Sequence, residues 1–479
     1  MKRGQAPLFA LLVMGAALTS AAQGPDRSVP PKTGEPPALK LPQIEKLALS
    51  NGLPVWLVEH HEVPLAQVNL IVKSGSAADP TGKFGVGSFA AAMLDEGAGT
   101  RSALEVAEAV EFLGAQLSTA SSFDQAAVRL SVPAARLQEA VDLMADVALR
   151  PTFPDAETER LRKQRLTELL QARDDPAVLV QFAFPRIVFG DTHRYGTPPL
   201  GSEAVLKALT RDDLRAFYLA HYQPANAALI VVGDVTRGTV MPLMERAFGT
   251  WKTAPAPSTG PAVQAAPQLT DRHVYVVDKP GAAQSQIRMG WVGVARSTPE
   301  LATLDVLNTI LGGSFTSRLN SNLREQHGYS YGAFSSFDMR RAPGPFYAGA
   351  GVQTDKTAEA LREFFKELDG IQKPVPADEL EKAKSYVALR FPGEFETTGD
   401  LARKLEELVV YDLPESTFST YIDRVRAVTA DAVQKAAMRY IQPENFAVVV
   451  VGDRSTIEPA IRAANVGPLT VVLAERVFR

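Results

Sequence analysis

"LTRDDLRAFYLAHYQPANAALIVVGD" (residues 209–234) returns without a gap as "VTADAVQKAAMRYIQPENFAVVVVGD" (428–453). Each copy carries a threonine suited to capping a helix, an amphipathic helix, Gln-Pro, an asparagine, a buried apolar strand and a Gly-Asp stop. Chance does not preserve cap, proline and strand end together, so the chain is built from two domain-sized copies of one design. Between them, "KTAPAPSTGPAVQAAPQLT" (252–270) is rich in proline and alanine and predicts an extended linker about which the halves hinge.

The first copy extends upstream in alternating blocks. "EKLALSNGLPVWLVEH" predicts two strands around Asn51-Gly52, a strong hairpin signal, and "QVNLIVKSGS" continues the sheet. Ser102 and Glu105 form a capping box ahead of a helix that buries Leu104, Ala109, Val110 and Leu113 and stops at Gly114. "AQLSTASSFDQAAVRLSV" predicts strand, turn, strand. In the second copy, Thr298-Pro299 opens a helix with Leu304, Leu307, Ile310 and Leu311 facing inward, ended by Gly312-Gly313. Hairpins imply antiparallel pairing. The expected class is α+β: two homologous halves, each an antiparallel sheet with helices packed on it, joined as a clamshell.

Composition narrows the function. The 479 residues are 46% hydrophobic and 22% charged, enough for sizeable cores in more than one domain. A net charge of −4 with no basic block argues against nucleic acid and anionic membrane surfaces as partners. The absence of cysteine excludes disulfides, thiolate–zinc sites, a thiol nucleophile and a lipid-bearing cysteine. Lys2 and Arg3, the apolar run from Leu8 to Leu18 and small residues to Ala22 have the layout of a signal peptide (1–22). A Pro-rich tether (23–40) follows, then an N-terminal domain (41–251), the linker (252–270) and a C-terminal domain (271–479). The expectation is an exported, soluble periplasmic protein with no membrane span.

With "LSNGLPVWLVE", "GVGSFAAAMLDEGAGT", "ELLQARDDP", "THRYGTPPLGS", the repeated "QPxN…VVGD" and "SRLNSNLREQHGYSYGA", the chain resembles the insulinase/pitrilysin family of inverted-zincin metallopeptidases, from about Leu47 to Asp453. Active members carry H-x-x-E-H on the helix after the glycines, placing two imidazoles on one face for zinc and a glutamate to polarise water. The histidine positions fall here on Ser88 and Ala92 and the glutamate position on Ala91. Only the distal acidic ligand has a match, Glu168. Alanine has no donor atom and a neutral hydroxyl is a poor zinc ligand, so Glu168 is expected as a solvated or salt-bridged helix residue. No metal is expected in this chain.

The remaining histidines offer no replacement. His60 and His61 point to opposite faces of a strand end, and His193, His221, His273 and His327 have no acid at ligand spacing. "GYSYG" mimics a nucleophile elbow at Ser330, but an extended run follows it and no histidine comes later. "GVGSFA" mimics a dinucleotide fingerprint without a strand leading into its glycines.

The resemblance implies a substrate-binding arginine and tyrosine in the second half, and "LREQHGYSY" maps them onto Arg324 and Tyr331. A guanidinium and a phenol can donate to a peptide carbonyl as it becomes an oxyanion. Outside that role, Arg324 is a helix-surface ion pair with Glu325 and Tyr331 a strand aromatic. Some small bacterial members of the family are heterodimers, one subunit holding zinc and the other the Arg/Tyr pair. The implied role is the zinc-free subunit, binding unfolded peptides and completing the chamber of a homologous zinc-bearing peptidase subunit. The alternative is a non-catalytic scaffold or peptide-holding protein, as relatives in respiratory complexes are.

Overall fold

The computed structural model describes residues 41–252 and 263–478, and the signal-peptide and tether segments lie outside the described residues. The repeat is realised as two six-stranded sheets. The first contains β1 (Glu45–Ala48), β2 (Pro54–Glu59), β3 (Leu65–Val72), β6 (Gln116–Ser121), β7 (Ala126–Pro133) and β8 (Ala227–Gly233). A two-residue pair, β4 (Gly97–Ala98) and β5 (Arg101–Ser102), stands apart from it. The second sheet contains β9 (His273–Asp278), β10 (Gln284–Val292), β11 (Ser330–Phe337), β12 (Pro345–Gln353), β13 (Ala447–Gly452) and β14 (Leu469–Val472). The orders are β1-β2-β8-β3-β7-β6 and β11-β12-β10-β13-β9-β14. Read in opposite directions they match strand for strand, apart from the outermost β1 and β14.

The α+β class holds, with one refinement. The sheets are mostly antiparallel, but β2 runs parallel to β8, and β9 parallel to both β13 and β14. The strands of the quoted repeat, β8 and β13, lie centrally and every residue in them is buried. A fully buried strand has apolar residues on both faces, which explains the unbroken runs "AALIVVG" and "AVVVVG".

Most local signals come out as read, but the helix expected to open at Thr298-Pro299 starts at Leu301 with Glu300 before it, and Ala109 and Val110 are only half-buried. Asn51-Gly52 turns β1 into β2, with Gly52 at φ 83°. Ser102 and Glu105 form the capping box of the Ala103–Phe112 helix. In the second half the Leu301–Leu311 helix buries all four leucine and isoleucine positions expected. Leu104, however, is exposed, and Val106 takes the inward position. Only a narrow stripe of this helix meets the sheet, so the wider apolar face of its sequence overstates its burial.

The second correction concerns the hinge. The halves interlock, because each lends a helix to the other's sheet. The Pro176–Phe189 helix packs on β10 and β13, and the Thr398–Val410 helix packs on β3 and β8. From the latter, Glu406 reaches into the first half, where Arg129 grips it with Nε at 2.8 Å and a terminal nitrogen at 2.7 Å. Asn69 donates to the same carboxylate at 2.7 Å. Nearby, Asp124 accepts from the Tyr195 hydroxyl at 3.1 Å and from the Arg341 backbone at 2.9 Å. In the second part of the linker, Val263, Ala266 and Leu269 pack on the core. Hinging at 252–270 would break the Glu406 and Arg341 contacts and undock both exchanged helices.

Candidate functional site

The helix after the glycines spans Val86–Ala92. Its start is fixed by Asp79, buried without exposure, which accepts from the backbone N–H of Gly85 (2.6 Å) and Gly87 (2.9 Å) and pairs with Arg194 at 2.8 Å. A Cβ on Gly87 would lie 2.7 Å from that carboxylate and from the Phe217 ring. The glycines are therefore required by close packing, not by a bound nucleotide. Burial raises the Asp79 carboxyl to about 6, against the pull of Arg194 and the two N–H groups.

Ser88, Ala91 and Ala92 share this helix, and none supplies a metal donor set. The Ser88 hydroxyl donates to the Pro199 carbonyl at 2.6 Å. One residue outside the family pattern is decisive: Arg165 donates to the Ser88 hydroxyl at 3.0 Å and the Ser88 carbonyl at 2.9 Å, and lies over the Phe89 ring at 4.8 Å. Burial lowers this guanidinium to about 10, eased by the charge of Glu168. It stays cationic at neutral pH. Glu168 is exposed and accepts from Gln164 at 3.0 Å. A fixed cation thus stands against the helix where a zinc site would need lone pairs, and these residues do not fit the metal.

No three metal-ligating side chains cluster among the described residues. His61 does pair with acids, with Asp234 from a distant part of the sequence at 2.8 Å and with Glu59, two residues before it, at 3.7 Å. The Asp234 hydrogen bond raises its pKa. It is a surface cluster. Ser330 opens β11, with its hydroxyl donating to the Gly351 carbonyl at 2.8 Å, and is no nucleophile elbow.

In the second half Arg324 and Tyr331 are brought together. Arg324 lies in a π-helical turn, Ser321–Gln326, and Tyr331 falls where the β11–β12 register shifts between Ser330 and Ala333. Both irregularities are of the kind that re-aims side chains. The guanidinium sits 4.9 Å from the Tyr331 ring and 4.6 Å from the Phe315 ring, held between them. Tyr331 is 87% exposed, and Phe315 is also exposed. Asn320 ties the two segments, donating to the Phe315 carbonyl at 2.6 Å and accepting from Ala333 N–H at 3.2 Å. The ion pair with Glu325 also forms, at 3.1 Å. Phe315 was not legible as a site residue; an aromatic just after Gly312-Gly313 is its only sequence trace.

Two homologous sheet-and-helix halves with a donor-less first site define the chain as a peptidase fold whose metal helix is degenerate. The family described as "Insulinase (Peptidase family M16)" matches residues 55–194, and "Peptidase M16 inactive domain" matches residues 208–387. The chain belongs to this insulinase/pitrilysin-like family and lacks an active zinc motif. An uncharacterized zinc protease of Streptomyces coelicolor is 26% identical over 81% of this chain and 87% of its own length. One from Bacillus subtilis is 24% identical over 85% and 98%. In structure, the peptidase M16 inactive domain from Pseudomonas fluorescens superposes with a TM-score of 0.79 at 24% identity, covering 85% of this chain and 98% of that one. A protease from Helicobacter pylori gives 0.79 at 23% identity, over 86% and 100%.

Proposed function

We propose that the chain is the zinc-free subunit of an exported two-subunit metallopeptidase. It binds unfolded peptide through Arg324 and Tyr331 and completes the chamber of a homologous zinc-bearing partner. The observation that carries the reading is the asymmetry between the halves: the first offers a fixed arginine where a metal peptidase needs imidazoles, while the second displays a guanidinium and a phenol side by side at the surface. Donors so placed can hold a peptide carbonyl and stabilise the oxyanion formed when a partner's activated water attacks it. Export rests on the N-terminal sequence, and no helix among the described residues is long and apolar enough to cross a membrane.

The test uses the mature chain alone and mixed with a homologous zinc-bearing subunit, measuring bound zinc and cleavage of an unstructured peptide. The chain alone binds no zinc and cleaves nothing; the mixture cleaves. Arg324→Ala lowers kcat/KM of the mixture by about 10²-fold, the order found for loss of an oxyanion donor. Unchanged activity in Arg324→Ala and Tyr331→Phe would leave the peptide-holding scaffold as the reading.

A further inference from the structure

In the second half a cavity of about 600 Å³ opens between the Leu301–Leu311 helix, the Ala377–Arg390 helix and the end of β11. The Leu301–Leu311 helix packs on the Ala430–Tyr440 helix as Val86–Ala92 packs on Arg211–His221. The cavity therefore stands at the second half's counterpart of the degenerate metal helix, and here the space is open.

Asp305 faces this cavity. Its Oδ2 accepts from the Tyr421 hydroxyl at 2.5 Å, and its Oδ1 has no donor among the described residues. The other lining acids have cations: Glu394 pairs with Lys404 at 2.5 Å and Asp338 with Arg340 at 2.5 Å. Arg296 is engaged by Glu407 at 2.8 Å, and Arg390 is exposed at the rim. Asp305 is thus a lining carboxylate whose hydrogen-bond partner is neutral and which the nearby charges of Arg296 and Lys404 reach only through space, in a cavity walled in part by Tyr347, Phe391 and Phe418. Burial raises its carboxyl above the usual range, opposed chiefly by the Tyr421 hydrogen bond. What it lacks is a charged donor. A ligand carboxylate would bring like charge instead.

β11 connects this cavity to the Arg324–Tyr331 pair. Tyr331 lies near the start of the strand, and Ser336 and Phe337 line the cavity at its end, about 17 Å along an extended chain. β11 is an edge strand with one side unpaired. A peptide paired along it carries side chains from one feature to the other.

We propose that this cavity is a subsite for a lysine or arginine side chain of the bound peptide, with the head group on Asp305 and the aliphatic stem against the aromatic wall. The inference rests on the peptide-binding reading above and adds a preference to it. The head group supplies the missing donor, and the stem covers the rings as long cationic side chains do.

Fluorescence anisotropy tests it on the isolated full chain, with a labelled unstructured peptide carrying one lysine and the same peptide carrying Nε-acetyl-lysine. The lysine peptide is expected to bind about tenfold more tightly, the order of one charge-assisted hydrogen bond. The preference should vanish in Asp305→Asn. Equal binding of both peptides to the unaltered chain overturns the subsite and leaves peptide binding standing; that comparison needs no variant to fold. A preference that survives in a folded Asp305→Asn chain also overturns it. Binding of neither peptide overturns both readings.

Discussion

Arg165 shows how one residue can close off a chemistry. Restoring Ser88→His, Ala91→Glu and Ala92→His supplies imidazoles and a base, yet leaves a guanidinium that donates to residue 88 and repels a divalent cation. The triple variant is expected to retain no stoichiometric zinc after dialysis. Adding Arg165→Ala is expected to let zinc bind, with Glu168 as third ligand, as read by atomic emission. Zinc held by the triple variant alone would show that Arg165 is no barrier. Asp79 supplies a second residue-scale prediction. Its carboxyl is raised from 3.8 to about 6, so the native state holds this proton more tightly than the unfolded chain does. Its stabilising contribution is full below 3.8 and is lost as pH rises through about 6. The loss is ~3 kcal/mol at most. Urea unfolding between pH 4 and 7 should show this decline in the natural chain and not in Asp79→Asn.

Among elements, the exchanged Pro176–Phe189 and Thr398–Val410 helices matter most. Asp175 caps the first and Thr397 forms a capping box with Asp400 on the second, so both helix starts were locally encoded. What each helix packs against was not, since its target strands lie in the other half of the chain. Glu406 marks the difference. In sequence it is one acid among "KLEELVV", and in the fold it is a buried carboxylate held by Arg129 and Asn69. Glu406→Ala leaves Arg129 without its counter-charge and is expected to destabilise the protein by about 3–5 kcal/mol. Glu406→Gln, which keeps an acceptor, should be milder. A loss below 1 kcal/mol in urea titration for Glu406→Ala would mean the clasp is solvated.

At the scale of the molecule, the interlock makes the two halves one body through residues far apart in sequence. A protease site inserted between 252 and 262 and then cut should leave both fragments co-eluting in size exclusion under native conditions. Separation would show that the linker, rather than the exchanged helices, holds them together.

The repeat, its caps, turns and apolar strands are written in local order, because capping, hairpin chemistry and hydrophobic period act over a few residues. They determined two α+β copies, while the family resemblance carried by short motifs marked Ser88, Ala91 and Ala92 as metal positions without donors and Arg324 and Tyr331 as candidates. Only the tertiary structure decided that the copies exchange helices, that Arg165 fills the degenerate site, that Phe315 joins the Arg/Tyr pair and that Asp305 faces an open cavity. Each of those depends on contacts between distant segments, where burial and electrostatics are set by which surfaces meet rather than by which residues follow one another.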